Sequence, residues 1–194
     1  MPLCFPGHVE VARAALAAGV RVVQLRDKER DAGELLPLIW EIRRLCRAAG
    51  ALFLVNDRVD LAQAADGVHL GQTDFPVALA RAMLGPERCV GISVENEEQV
   101  RAAEEAGADY LGVGAIYGTS TKLDAGDPVG LEQLRRFRAI TALPLVAIGG
   151  ITRERLPEVR RAGADSAAVI GAIAAQPEPE TAARELVRTW EAAR

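Results

Sequence analysis

Seven short, β-rich apolar runs recur along the chain with longer helix-period segments between them, and no other feature constrains the fold as much. The runs lie at 22–25, 52–55, 67–70, 89–94, 110–116, 145–148 and 167–170. Helical patterns occupy 12–18, 34–49, 77–84, 97–106, 131–139 and 156–162. Runs that are apolar almost throughout, each followed by a helix, read as parallel strands covered on at least one face. Strand starts advance from 22 to 167 in six steps, about 24 residues each on average, which makes a compact βα unit. A weak internal repeat marks the joins: Ala18-Gly19-Val20-Arg21, Ala106-Gly107-Ala108-Asp109 and Ala162-Gly163-Ala164-Asp165, with Ala64-Ala65-Asp66-Gly67 entering its strand similarly. Glycine after the last helical turn is the expected left-handed cap. No GxGxxG follows an early strand, which argues against a doubly wound dinucleotide-binding sheet. The expected architecture is α/β, a single (β/α)8 TIM barrel over residues 1–194, with 175–194 as the C-terminal helix.

One strand is short of material. Residues 1–20 hold the first helix and, before it, only three apolar residues bracketed by Pro2 and Pro6. Strand one is therefore expected to be vestigial or missing. At 194 residues the chain also lies just under the usual ~200 for this barrel. Either the start was taken too far downstream, or the barrel closes with a gap or against a partner, a homo-oligomer included. An unpaired edge at that seam is an association hazard.

Composition narrows the function. Hydrophobic residues make up 49% and charged residues 26%, which excludes disorder over most of the chain. No apolar run reaches the ~18 residues a membrane span needs, and the N-terminus lacks the pattern of a signal peptide. No membrane association is expected, and the cytoplasm is the expected location. A net charge of −4 without a basic stripe argues against nucleic acid. Arg43, Arg44 and Arg47 cluster at helical spacing beside Glu41, as on a solvated helix face. Three cysteines (Cys4, Cys46, Cys89) without CxxC spacing read as incidental thiols in a reducing compartment.

In this barrel the chemistry sits at the C-terminal ends of the strands. After the run at 22–25, alternation puts Gln24, Arg26 and Lys28 on one face and turns Leu25 to the other. Two cations and an amide facing the interior call for an anion such as phosphate or pyrophosphate. A charged strand end exposed to water is the alternative. The next two strands end in Asn56-Asp57-Arg58 and Gly71-Gln72-Thr73-Asp74. Carboxylates from neighbouring strands converge readily, and two of them completed by water and phosphate oxygens suit Mg²⁺. Either aspartate alone also reads as a helix N-cap, Asp74 before Phe75-Pro76 in particular. His69 reads as a strand histidine, and with only His8 besides it a histidine-built metal site is excluded. Ser93 ends a fourth strand. Thr119-Ser120-Thr121-Lys122 reads either as an oxygen-binding lid or as an ordinary polar loop. Glycines after the runs ending at 148 and 170 mark the mouth where such barrels bind phosphate through backbone N–H groups. Two anion sites are thus expected, a monophosphate at the last two strands and a metal-bound pyrophosphate at the earlier ones.

The same residues resemble the thiamine-phosphate synthase family. The matching stretches are 24–28 (QLRDK), 56–60 (NDRVD), 65–74 (ADGVHLGQTD), 91–93 (GIS), 108–114 (ADYLGVG), 119–122 (TSTK), 147–151 (AIGGI) and 163–173. Each is weak alone, but the ordered set is specific. The resemblance implies a transferase joining 4-amino-2-methylpyrimidin-5-ylmethyl diphosphate to a thiazole phosphate, or its carboxylated form, with release of pyrophosphate. By family likeness Gln24, Leu25, Arg26, Asp27, Lys28, Asn56, Ser93 and Lys122 would hold the pyrimidine diphosphate. Arg26, Lys28, Ser93 and Lys122 would act catalytically, and Asp57 and Asp74 would bind Mg²⁺. Thr119, Ser120, Thr121, Gly150, Ile170 and Gly171 would hold the thiazole phosphate. Two departures stand out: Gly171 where the family often has Ser, and Ala115 where Pro is common. A related thiazole tautomerase relies on a histidine near 114–117, where this chain has Gly-Ala-Ile-Tyr. A non-catalytic phosphate-binding barrel is the remaining alternative, and the intact polar strand ends argue against it.

Overall fold

The computed structural model describes residues 7–118 and 128–193. Within them every strand is parallel and follows its sequence neighbour: β1 (Val22–Leu25), β2 (Leu52–Asn56), β3 (Gly67–Leu70), β4 (Cys89–Val94), β5 (Tyr110–Val113), β6 (Leu145–Ile148) and β7 (Ser166–Ala168) form one seven-stranded sheet in that order. Between them run α1 (His8–Ala17), α2 (Ala32–Ala49), α3 (Val59–Ala62), α4 (Val77–Leu84), α5 (Glu97–Glu105), α6 (Gly130–Ile140), α7 (Leu156–Arg161), α8 (Gly171–Ala174) and α9 (Pro179–Ala192). This is a curled, single-domain TIM-like sheet with helices on its outer face. The truncated first strand expected before residue 7 lies outside the described residues.

The expected runs at 110–116 and 167–170 both shorten, to Tyr110–Val113 and Ser166–Ala168. In the first, Gly114 onward leaves the ladder for a loop, although Ile116 still donates to the Ile148 carbonyl at 2.8 Å. In the second, the chain turns at Ile170 into α8. The short helices α3 and α8 carry too few residues to show a helical period.

The internal repeat has a structural cause on the face opposite the site. Gly19, Gly107 and Gly163 take φ of +94°, +81° and +104°, so each is the left-handed cap that its place after an alanine predicts. The aspartate before the strand does a second job. Asp66, Asp109 and Asp165 accept from the N–H of Phe53, Val90 and Leu145 at 2.9, 2.7 and 2.8 Å. Their own amides donate back to the same three residues' carbonyls. An arginine from a preceding helix closes on each carboxylate: Arg43 at 3.9 Å, Arg81 in closer contact and Arg138 at 2.9 Å. The Asp thus stitches the start of one strand to the start of its neighbour.

Burial separates two cores. Leu25, Phe53 and Val55 pack outward against Leu35, Ile39, Ile42 and Cys46 of α2. Val68, Val90, Leu111 and Leu145 anchor the larger cluster under the remaining helices. The alternate residues face inward, where glycine makes room for two rings. A Cβ on Gly91 would lie 2.1 Å from the Tyr110 ring, and one on Gly112 2.8 Å from the His69 ring. The His69 and Tyr110 rings stack at 5.4 Å between centroids in the space so left. Cys46 and Cys89 are free thiols, each pushed up to about 11 by burial first and then by Asp66 or Asp109 nearby. Neither is a ready nucleophile at neutral pH. No helix among the described residues is long and apolar enough to cross a membrane.

Candidate active site

Parallel order sends the C-terminal ends of all seven strands to one rim, so β1, β2 and β3 deliver the polar residues at 24–28, 56–58 and 71–74 side by side. Val55 and Asn56 pair with Val68 and His69, while Gln24 and Leu25 pair with Leu54 and Val55. On the inner face the Gln24 amide donates to Asn56 Oδ1 at 2.8 Å. Leu25, 4% exposed, is buried toward α2, as alternation requires, and leaves only its backbone at the rim.

Asp27 is a loop organiser. Its carboxylate is bonded to His8 Nε2 at 3.0 Å and accepts the N–H groups of Glu29 and Arg30, both at 3.0 Å. Burial pushes its proton affinity up, but the His8 bond, the two backbone donors and Arg30 together outweigh it and hold the carboxyl at about 2. The loop carrying Lys28 is therefore fixed from beneath. Asp27, Lys28, Arg30, Asn56, Asp57 and Arg58 line a cleft of about 230 Å³.

Asp57 and Asp74 meet across this rim. Asp57 sits at φ +60°, the one non-glycine residue with positive φ among the described residues, with its amide bonded to the His69 carbonyl at 2.8 Å. Strained backbone of this kind survives where surroundings fix it, and it clusters at functional positions. Burial and then the Asp74 carboxylate, within hydrogen-bonding reach, raise the Asp57 proton affinity, while Lys28 and Arg26 pull it down. Lys28 Nζ lies 3.6 Å from Asp57 Oδ2. Neither aspartate caps a helix. Asp74 turns back to accept the Gly71 N–H at 2.8 Å, and α4 starts at Val77 without a side-chain cap. Two carboxylates pressed together beside two cations offer hard oxygen donors of the type a divalent cation prefers. No group of three or more metal-binding side chains occurs among the described residues, so such an ion would draw its other ligands from water and substrate oxygens.

Ser93 stands farther along the rim and is held from two sides. His69 Nε2 lies 3.0 Å from its Oγ, Tyr110 Oη lies 2.7 Å from His69 Nδ1, and the Gln72 amide donates to the Ser93 carbonyl at 2.6 Å. Sequence reasoning missed Tyr110 and Gln72. The signal available was the glycine at 91 and at 112 on neighbouring inner positions, since something large must fill the gap.

At the far side, Gly149 and Gly150 take φ of +97° and +61°, and Gly171 opens α8. The amides of Gly150, Ile151, Gly171 and Ala172 donate to no backbone carbonyl among the described residues. Since β6 pairs β7, these amides lie at adjacent strand ends. Ile170, 44% exposed, stands beside them. Thr119, Ser120, Thr121 and Lys122 lie outside the described residues.

The mouth of this TIM-like sheet thus carries a carboxylate–cation cluster on one side and glycine-borne amides on the other, the end at which barrels of this kind carry their chemistry. The chain matches the thiamine monophosphate synthase family over residues 5–173. It is 49% identical over 180 residues to the thiamine-phosphate synthase of Moorella thermoacetica, covering 92% of this chain and 86% of that one. To the Natronomonas pharaonis thiamine-phosphate synthase it is 51% identical over 183 residues, 91% and 85% of the two chains. The solved thiamine phosphate pyrophosphorylase of Pyrococcus furiosus superposes with a TM-score of 0.91 at 38% identity, over 97% of this chain and 92% of that one. The chain belongs to the thiamine monophosphate synthase family, and so to the transferases of thiamine biosynthesis.

Proposed function

We propose that the protein forms thiamine phosphate from 4-amino-2-methylpyrimidin-5-ylmethyl diphosphate and a thiazole phosphate, releasing pyrophosphate. The observation that carries this reading is the meeting of Asp57 and Asp74 beside Lys28 and Arg26, across the mouth from the amides at Gly150 and Gly171. One pole accepts a diphosphate with its cation, the other a monophosphate.

Gln24, Arg26, Lys28 and Asn56 hold the pyrimidine diphosphate, and Leu25 and Asp27 contribute the backbone and the rigidity of that loop. Ser93, its hydroxyl bonded to His69, orients the pyrimidine side, and Lys122 joins the cations on the diphosphate. Gly150, Ile170 and Gly171, with Thr119, Ser120 and Thr121, hold the thiazole phosphate. Asp57 and Asp74 would hold Mg²⁺, for which their paired oxygens fit, and the ion would supply charge neutralisation on the diphosphate.

The chemistry needs no protein nucleophile. The bond between the pyrimidine methylene carbon and the diphosphate oxygen breaks, leaving its electron pair on oxygen, and the electron-rich ring stabilises the resulting cation. The thiazole nitrogen lone pair then forms the new C–N bond without losing a proton. Arg26, Lys28 and Lys122 stabilise the departing charge, Ser93 and the two phosphate grips hold the rings in line, and the filled inner face excludes water.

The test is direct. Purified protein with Mg²⁺ and both substrates is expected to yield thiamine phosphate and pyrophosphate in equal amounts. Folded protein that forms neither overturns the assignment.

A further inference from the structure

The glycine pair after β6 has an anchor that the substrate contacts do not use. Arg155, in the 3₁₀ turn Arg153–Arg155 that leads into α7, donates from one guanidinium nitrogen to the Gly150 carbonyl at 2.6 Å. The same guanidinium lies 4.2 Å from the centroid of the Tyr117 ring. The Tyr117 hydroxyl donates to Glu158 on the first turn of α7. Three pieces of chain are therefore clamped together: the residues 114–118 that follow β5, the Gly149-Gly150 turn, and the start of α7. Backbone contact is equally close, since a Cβ on Gly150 would lie 2.6 Å from the Gly118 carbonyl oxygen and one on Gly149 2.6 Å from Ala115. Tyr117 also donates its amide to the Gly149 carbonyl at 3.1 Å.

A trans peptide points its C=O and the next N–H in opposite directions. Fixing the Gly150 carbonyl on the Arg155 side leaves the Ile151 N–H aimed away from Arg155, and that N–H has no backbone acceptor among the described residues. Glycine at 150 lowers the dihedral cost of the alternative, because turning over the Gly150–Ile151 peptide changes ψ at a residue without a Cβ. Rotated, the carbonyl oxygen would face the mouth and repel an anion there.

We propose that Arg155 is a positioning residue for the monophosphate site: by holding the Gly150 carbonyl, and being held in turn by the Tyr117 ring, it keeps the Gly150–Ile151 peptide turned so that its N–H donates to the phosphate. The proposal rests on the functional reading above in naming the thiazole phosphate as the ligand. Its geometry requires only a phosphate group.

Inorganic phosphate titrated into ¹⁵N-labelled wild-type protein tests this without turnover. The Ile151 amide resonance is expected to shift saturably with the Gly171 amide. In Arg155→Met the phosphate concentration at half-saturation rises at least tenfold, and Arg155→Lys, which keeps a donor for the carbonyl, recovers part of that loss. In turnover the Met variant raises KM for the thiazole phosphate by a similar factor and leaves kcat and KM for the pyrimidine diphosphate within twofold. An Ile151 amide that ignores phosphate in the wild type overturns the proposal, and needs no variant to fold. A folded Arg155→Met with unchanged phosphate affinity overturns it too, as does an equal rise in both KM values. A wild type that binds phosphate but makes no thiamine phosphate refutes the functional reading instead, so the two failures are distinct.

Discussion

Replacing Asp27 by Asn isolates the charge that organises the loop bearing Arg26 and Lys28. Asn keeps the size and one acceptor oxygen but cannot ionise, so it mimics the protonated acid. Folding holds the Asp27 carboxyl at about 2 against an ordinary 3.8, through His8, two backbone N–H donors and Arg30 acting against burial. At about 1.4 kcal/mol per tenfold change in proton affinity, that gap corresponds to about 2.4 kcal/mol of stability. Arg30 is about half exposed and screened by water, which brings the expectation to about 2 kcal/mol. For a chain of this size the loss lowers Tm by about 4–8 °C. The sign follows from the folded state binding the proton less tightly than the unfolded chain. Stabilisation is complete above about pH 4 and disappears as the pH falls through 2, with roughly half remaining at pH 3. Urea denaturation of wild type and Asp27→Asn at pH 7, 5 and 3 measures this. A difference under about 0.5 kcal/mol at pH 7, or one that is the same at pH 7 and pH 3, refutes the assignment of Asp27 as an ionised anchor.

Other substitutions separate the two ends of the barrel. Asp109→Ala removes the acceptor of the Val90 N–H and the partner of Arg81 at the face away from the site, and is expected to cost about 2 kcal/mol in denaturant unfolding while kcat stays within twofold. Gly91→Ala drives a methyl into the Tyr110 ring, so it is expected to lose about 2 kcal/mol or more and to lower turnover sharply by displacing the ring that orients His69 and Ser93. Asp57→Asn, which tolerates the positive φ, relieves the like-charge contact between half-buried Asp57 and exposed Asp74. It is expected to raise the stability of the metal-free protein by a few tenths to about 1 kcal/mol near neutral pH, a gain that fades as acid protonates the wild-type pair.

The sequence carried most of the strand order, because seven apolar runs separated by helical segments leave few topologies and parallel strands with helical crossovers leave fewer. It also placed Asp57 and Asp74 together, since neighbouring strand ends in a parallel sheet are neighbours in space. Role was harder to see than place. Asp27 lies inside the polar motif yet spends its carboxylate on His8 and on loop amides, and only the folded path of α1 brings His8 there. The repeated Asp before the strands was visible as a pattern, but its partner is an amide on the adjacent strand, a contact no local spacing encodes. Arg155 and Tyr117, 38 positions apart, meet for the same reason.

The measurement that bears most directly on the paired-carboxylate site is the Mg²⁺ dependence of thiamine phosphate formation, compared in wild type, Asp57→Asn and Asp74→Asn at saturating concentrations of both substrates. Wild-type turnover is expected to rise saturably with Mg²⁺, and each variant, folded by its melting temperature, to lose at least 100-fold or to need far more of the ion. Turnover that is independent of Mg²⁺, or unchanged in both variants, would contradict the role given to Asp57 and Asp74.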